Sequence, residues 1–269
     1  MPLYIVATPI GNLEDISLRA LRTLREVKLI AAEDTRRTKQ LLASYDIKTP
    51  TTSYHERNKL TKLEYILEQL EQGDVALVSD AGMPGISDPG QELIAAASDR
   101  GVPVVPVPGA SVVITALAVS GLDTKSFRYL GFLPKASARK KLLKSVAEDP
   151  ATIVVFETPH RLKAALDDIL EVLGDREMAV CRELTKLHEE VFRGRVSRAI
   201  EHFAAPRGEF TLVIAGKKEV EKPALTADIE KRLQKLRRSG AGAKEAVVAV
   251  AVETGISKKE LYRAWLKSG

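Results

Sequence analysis

A single cysteine, Cys181, is all the thiol chemistry that 269 residues offer. One thiol cannot staple a fold or build a metal site alone, so a reducing cytoplasm is the expected setting. The four histidines are scattered without ligand spacing, and no zinc is expected. No run of about 18 apolar residues occurs, so no membrane-spanning helix is expected. The opening MPLYIVATPIGN shows no basic segment, apolar stretch or small-residue cleavage site, so no secretory leader is expected. Hydrophobic residues make up 45% of the chain, enough for one large core or two moderate ones.

Another absence is local. VSDAGMPGISDPG, residues 78–90, holds three glycines and two prolines but no lysine or arginine. A P-loop needs a lysine after its glycines, and the Rossmann fingerprint needs a spacing that Gly82, Gly85 and Gly90 do not have. Asp80 and Asp88 would also repel a pyrophosphate. A phosphate-free cofactor with a cationic centre suits such a loop better, and S-adenosylmethionine is the common one. The competing reading is an acidic, glycine-rich turn that holds nothing.

Positive charge is concentrated. From residue 222 to the end, eleven Lys and Arg stand against five Asp and Glu, a net of +6, which leaves −1 of the overall +5 for everything before. A basic face of this kind suits a polyanion such as nucleic acid, and it also suits a solvated helix surface.

What is present reads as an α/β protein. LYIVAT (3–8), KLIAAE (28–33), VALVSD (75–80) and VPVVPV (102–107) read as strands. Helical periods fall between them, at 17–27, at 63–73 with Gly73 as stop, and at 91–101. This alternation predicts βαβ units, a parallel sheet and ligands beyond the carboxyl ends of its strands. The pattern changes near LGFLPKASARKK (130–141). TIVVFE (152–157), a helix over 160–173, MAVCREL (178–184), EEVFRGRV (189–196), a short helix and GEFTLVIAG (208–216) predict a second α/β domain with a mixed sheet. The expected division is 1–122, 123–218 and a basic helical segment over 223–269, with 217–227 as a linker. Three helices are expected in that segment, at about 227–238, 243–254 and 257–267. Ala251, Gly255 and Leu261 have helix-turn-helix spacing, against the plainer reading of a three-helix cap. Trp265 reads as core.

VATPIGNLEDISLRAL, AAEDTRRT, SDAGMPGISDPG, PVPGASVVITALAVSGL, LGFLPK, FETPHR, CRELTKLHEEVFRG and GEFTLVIAG occur in this order. Together they resemble the bacterial ribosomal RNA small subunit methyltransferase I family, of the tetrapyrrole-methylase-like fold. The resemblance spans nearly the whole chain. It implies two α/β domains with S-adenosylmethionine between them, homodimers, and methylation of a cytidine ribose 2′-oxygen in 16S rRNA of the small ribosomal subunit. Relatives on this fold that methylate small molecules carry Gly-Asp-Pro where this chain has Gly82-Met83-Pro84. A tetrapyrrole-type small-molecule methylase is the second reading, and a non-catalytic nucleic-acid-binding protein the third.

By the resemblance, Pro9, Ala81, Gly82, Met83, Pro84 and Ile86 approach the cofactor, with a carboxylate from Asp80 or Asp88 that otherwise caps a turn. Ser111 and Val112 open a helix whose N–H groups could take the methionine carboxylate, unless Ser111 is a simple cap. Phe156, Leu184, Glu209 and Phe210 match positions around the adenine, with packing in a core as the competing reading for Phe156, Leu184 and Phe210. A ribose hydroxyl needs its proton accepted during attack. Glu183 is the first candidate, with an ion pair to Arg182 or Arg161 as its competing role. Lys186, Asn12, Glu157, His160, Glu14 and Asp34 are the others. Arg36, Arg37 and Lys39, then Lys135, Arg139, Lys140 and Lys141, and the basic tail are the expected RNA grip.

Overall fold

The computed structural model describes residues 1–218 and 225–267. They form two compact units, which divide after Lys217. Most of the expected linker, and Lys222 with it, lies outside the described residues.

The first unit begins with a five-stranded sheet. Its strands are β1 (Leu3–Val6), β2 (Leu29–Ala32), β3 (Thr51–Ser53), β4 (Val75–Val78) and β5 (Val104–Val107). They are parallel throughout, in the order β3-β2-β4-β1-β5. Helices α1 (Leu18–Glu26), α2 (Thr35–Ala43), α3 (Lys59–Gln72) and α4 (Gln91–Asp99) alternate with them, and α5 (Val112–Ser120) follows. β2 and β4 are buried at every position. That is why LIAA and VALV read as unbroken apolar runs: a parallel sheet is covered on both faces. Leu29, Ala31, Val75 and Leu77 enter one core cluster, while Ile30, Ala32, Ala76 and Val78 enter another.

The second sheet holds β6 (Phe127–Phe132), β7 (Thr152–Glu157), β8 (Glu177–Arg182), β9 (Glu190–Arg195) and β10 (Phe210–Ile214), in the order β6-β7-β10-β8-β9. Only β6 and β7 are parallel; the other pairs are antiparallel. Helices α6 (Ala136–Ser145), α7 (Pro159–Leu173) and α8 (Val196–His202) accompany it. Side chains alternate strictly. Ile153, Val155, Leu212 and Ile214 join a large core with α7, whereas Val154, Ala179, Cys181 and Val213 face Ala116 and Leu117 of α5. So α5, which follows the first sheet in the chain, packs on the second and ties the two together.

Four elements depart from the sequence reading. β3 and α2 have almost no buried apolar positions, α2 burying only Thr38 and Leu42, so no period announces them. β6 is interrupted by Gly131 at φ +67° and a register shift between Tyr129 and Phe132. α6 is lysine-rich and buries only Arg139 and Leu143.

The second unit consists of α9 (Ala227–Arg238), α10 (Ala243–Thr254) and α11 (Lys258–Lys267) around Leu233, Val247, Val250, Leu261 and Trp265. Gly255 ends α10 in the left-handed region, at φ +71°, and its N–H donates to Ala251 O. Arg237 lies over the Trp265 ring, 5.7 Å from its centroid, and donates to its carbonyl. Among the described residues no helix is long and apolar enough to cross a membrane, and no group of His, Cys, Asp and Glu could hold a metal ion.

Candidate active site

Parallel strands end on one side, so the loops after β1, β2, β4 and β5 collect there. The loop after β4 is pinned to the loop after β1. Thr8 N–H donates to Gly82 O at 2.9 Å, Gly82 N–H returns to Thr8 O at 3.0 Å, and Thr8 Oγ1 donates to Ser79 O. Gly82 and Gly85 both sit at φ +81°, a conformation that costs glycine least. Acidic side chains crowd beneath this loop. Asp80 N–H donates to Glu33, and Asp80 Oδ1 accepts from Asp34 N–H. Burial, and then the Glu33 and Asp80 charges, push Asp88 up to about 6 against a Ser79 hydrogen bond that lowers it.

The facing wall comes from one edge of the second sheet. Antiparallel pairing sets Glu157, Phe210 and Arg182 on one rung, and the parallel pairing of β6 with β7 sets Phe132 beside Phe156. Phe156 makes edge contacts with Tyr129 and Phe132, at 5.1 and 5.4 Å between centroids. Glu157 is fully buried. Its Oε1 accepts from Thr158 N–H and lies 3.4 Å from Arg161 Nε, but its Oε2 has no hydrogen-bond partner.

Between these walls lies a cleft of about 310 Å³. Residues 81–83, 86–88 and 111–113 line one side; Tyr129, Phe132, 156–159 and 209–211 line the other. None of the 18 lining residues is Lys or Arg, while Asp88, Glu157 and Glu209 are acids. Ser111 gives α5 no side-chain cap, so the first N–H groups of that helix are left to another acceptor. A second pocket, of about 450 Å³, lies among residues 8–11, Leu13, α2, Asp80, Ala81, Lys186 and Glu209. A chamber of about 90 Å³ includes Ile10, Ala81, Val112, Leu184 and Glu209 in its wall. On the far side of Ser87 and Asp88 is a larger polar pocket, about 770 Å³.

Of the residues picked from the sequence for the cofactor, Ala81, Gly82, Met83, Ile86, Ser111, Val112, Phe156, Glu209 and Phe210 line the cleft. Pro84 does not: it is buried under the loop. Leu184 lines the small chamber, and Pro9 and Asp80 line the second pocket. Tyr129, Phe132 and Thr211 were not anticipated, because their strands meet this edge only through pairing partners far away in the chain.

Three expected roles need correcting. Glu183 lines neither the cleft nor the chamber. Its carboxylate accepts from Glu209 N–H at 2.8 Å and Lys186 Nζ at 3.1 Å. Burial pushes it up, but these donors outweigh burial and hold it below its ordinary value, which makes it a weak proton acceptor. Asn12 is exposed and caps a short turn by accepting from Glu14 N–H. Arg139 is 6% exposed, with Nε 2.6 Å from Asp168 and a further donation to Ala164 O, so it cannot grip RNA. Lys140 pairs with Glu171; Lys135 and Lys141 remain exposed. On α2, Arg36 pairs with Asp34, Arg37 lies 3.3 Å from Asp80, and Lys39 is exposed.

Residues 2–200 match the family model for Tetrapyrrole (Corrin/Porphyrin) Methylases. The chain belongs to the tetrapyrrole methylase family. It is a methyltransferase, therefore, and the cleft is the candidate place for its chemistry. Curated relatives are named Ribosomal RNA small subunit methyltransferase I. The one from Halalkalibacterium halodurans is 45% identical over 98% of this chain and 94% of its own length. The one from Synechocystis is 46% identical over 98% and 97%. The one from Thermotoga maritima is 54% identical over 80% of this chain but 98% of itself, so it has no counterpart for about a fifth of this sequence. Among solved structures, a diphthine synthase aligns with TM-score 0.64 over 80% of this chain and 90% of its own, at 15% identity. A uroporphyrin-III-C-methyltransferase from Thermus thermophilus aligns with TM-score 0.56 over 79% and 93%, at 21% identity. These two support the fold alone.

Proposed function

We propose that this methyltransferase uses S-adenosylmethionine to methylate a cytidine ribose 2′-oxygen in 16S rRNA of the small ribosomal subunit, as a cytoplasmic homodimer. The observation that carries the cofactor is the make-up of the cleft: no Lys or Arg lines it, and its three acids include Asp88, while Glu157 and Glu209 are paired with Arg161 and Lys186. Such walls give the phosphates of ATP or NAD no cationic partner and tolerate a cation beside Asp88. S-adenosylmethionine, when bound, supplies a sulfonium and its transferable methyl group.

The residues present fit that molecule. The uncapped start of α5 offers N–H groups to a carboxylate. The Phe156 ring suits the face of an adenine, and the buried, unpartnered Glu157 Oε2 is an acceptor that a ligand N–H or O–H can satisfy. Gly82 lets backbone come close where a side chain would intrude. Methyl transfer to oxygen is an in-line displacement, so alignment in this pocket supplies much of the acceleration.

The shared name of the relatives supports rRNA as the acceptor, at 45% identity over nearly the full chain. It also sets aside the small-molecule and non-catalytic readings. The oxygen acceptor rests on the family resemblance. It is consistent with Cys181, whose thiol burial pushes up to about 11, being no nucleophile for base-carbon chemistry. The basic tail fits an accessory grip on RNA. Removing residues 222–269 weakens RNA affinity and flattens its salt dependence in this reading, while cofactor affinity stays unchanged. The direct experiment incubates the protein with labelled S-adenosylmethionine and unmethylated small subunits, then maps the nucleosides by mass. A 2′-O-methylcytidine supports the proposal; a methyl on a base, or none, refutes it.

A further inference from the structure

The cleft has two polar neighbours, and only one of them suits an RNA acceptor. The 770 Å³ pocket beyond Asp88 carries four carboxylates (Glu33, Glu56, Asp88, Glu92) against Arg57 and Lys59. Lys59 is already committed to Glu56 and Glu92. This pocket repels a polyanion. The 450 Å³ pocket balances Arg37 and Lys186 against Asp80 and Glu209, and α2 beside it carries the exposed Arg36, Arg37 and Lys39.

The cleft adjoins both neighbours: it shares Ser87 and Asp88 with the acidic pocket, and other residues with the second. Ala81 and Glu209 line the cleft, the 90 Å³ chamber and the 450 Å³ pocket alike. The chamber shares Val112 and Thr211 with the cleft, and Ile10 and Lys186 with the pocket. The three spaces therefore adjoin in a row, with shared walls, from the cofactor cleft to the face of α2. At the junction Lys186 Nζ holds Glu209 Oε2 at 2.8 Å and Glu183 Oε1 at 3.1 Å. An ammonium has three donors, so one is free for a ligand oxygen, and the Glu209 carboxylate keeps acceptor capacity. Gly11 is needed for this arrangement: a Cβ there would fall 2.6 Å from Lys186 Cγ.

We propose that the pocket between residues 8–13 and α2 is the acceptor-nucleoside subsite, with Lys186 and Glu209 orienting the ribose at its inner end. The inference rests on the rRNA methyltransferase reading. A volume of 450 Å³ falls in the ~300–1,000 Å³ range of small-ligand sites and admits one splayed nucleotide, the form in which RNA is usually read. Arg36, Arg37 and Lys39 then meet the flanking phosphates.

The test fills each pocket from an exposed helix position. Gln40→Trp, on α2, and Ser44→Trp, at its end, occupy the proposed subsite; Gln91→Trp occupies the acidic pocket. Methyl transfer to small subunits and S-adenosylmethionine calorimetry are measured on each. Gln40→Trp and Ser44→Trp lose about tenfold or more in kcat/KM for RNA, with the cofactor Kd within about twofold, and Gln91→Trp matches the wild type. Unchanged cofactor binding certifies that the variants are folded. Wild-type turnover in both α2 variants, or a loss confined to Gln91→Trp, refutes the subsite alone. A wild-type protein that methylates no rRNA refutes the functional reading beneath it.

Discussion

The two sheets contribute different things to the cleft. The first, wholly parallel, brings loops to one edge: the Gly82 turn with Met83, Ile86 and Asp88, and the start of α5. The second, mainly antiparallel, brings strand ends and offers side chains: Tyr129, Phe132, Phe156, Glu157 and Phe210. Strand direction explains the difference. A parallel sheet collects flexible loops past its carboxyl ends, whereas an antiparallel edge exposes a rung of facing residues. In the proposed function the second sheet's wall meets the cofactor's rings and the loop wall makes room for its chain.

Substitutions on the two walls should therefore differ in size. The largest effect is expected at Gly82→Val. A Cβ there meets nothing closer than 3.5 Å, so the protein has space for it. The φ of +81° is hostile to a branched side chain, however, and its methyls would enter the cleft. Cofactor affinity should fall by about 100-fold or more while circular dichroism still shows the native fold. Phe156→Ala, on the other wall, should cost less, about 5- to 100-fold in affinity, the scale of losing one aromatic stacking face. Equal losses from the two variants, in the same titration, would erase the distinction between the walls.

Glu183→Gln comes next. Its carboxylate is bound to Glu209 N–H and Lys186 away from the cleft, so turnover should drop by less than the ~10²- to 10⁴-fold typical of a lost general base. A full loss with intact cofactor binding would restore it as the proton acceptor.

Asp88→Asn tests the loop wall by pH. The folded-state carboxyl sits near 6, above its unfolded value of 3.8, so the native state holds the extra proton between those values. Stability contributed by that group is present below about pH 4 and lost as pH rises through 6. The variant should thus melt above the wild type at pH 7–8, and the difference should vanish at about pH 4. The smallest effect is expected for Cys181→Ser, which should keep most activity, since the thiol is buried in β8 and protonated.

Much of this was legible in the residues, and the failures have physical causes. Apolar runs such as VALV and TIVVFE announced strands because burial on both faces leaves no polar alternation. The tail helices were legible to within a residue or so, with Gly255 at the turn between the last two. The loop wall of the cleft was also legible, since a run of glycines, prolines and acids in local order carries its own chemistry. The opposite wall was harder. Tyr129 and Phe132 come to Phe156 through β6–β7 pairing, and no local pattern encodes which strand lies next to which. Arg139 shows the same limit. PKASARKK reads as a basic patch, yet Asp168, 29 residues on, draws that guanidinium inward.

Calorimetry on the intact wild-type protein tests the cleft most directly, with S-adenosylmethionine, its demethylated product, ATP and NAD titrated in turn. The first two should bind at one site per chain, and the phosphate-bearing pair should give no heat. Binding of ATP or NAD in place of S-adenosylmethionine would contradict the assignment of an acidic, phosphate-excluding cofactor cleft.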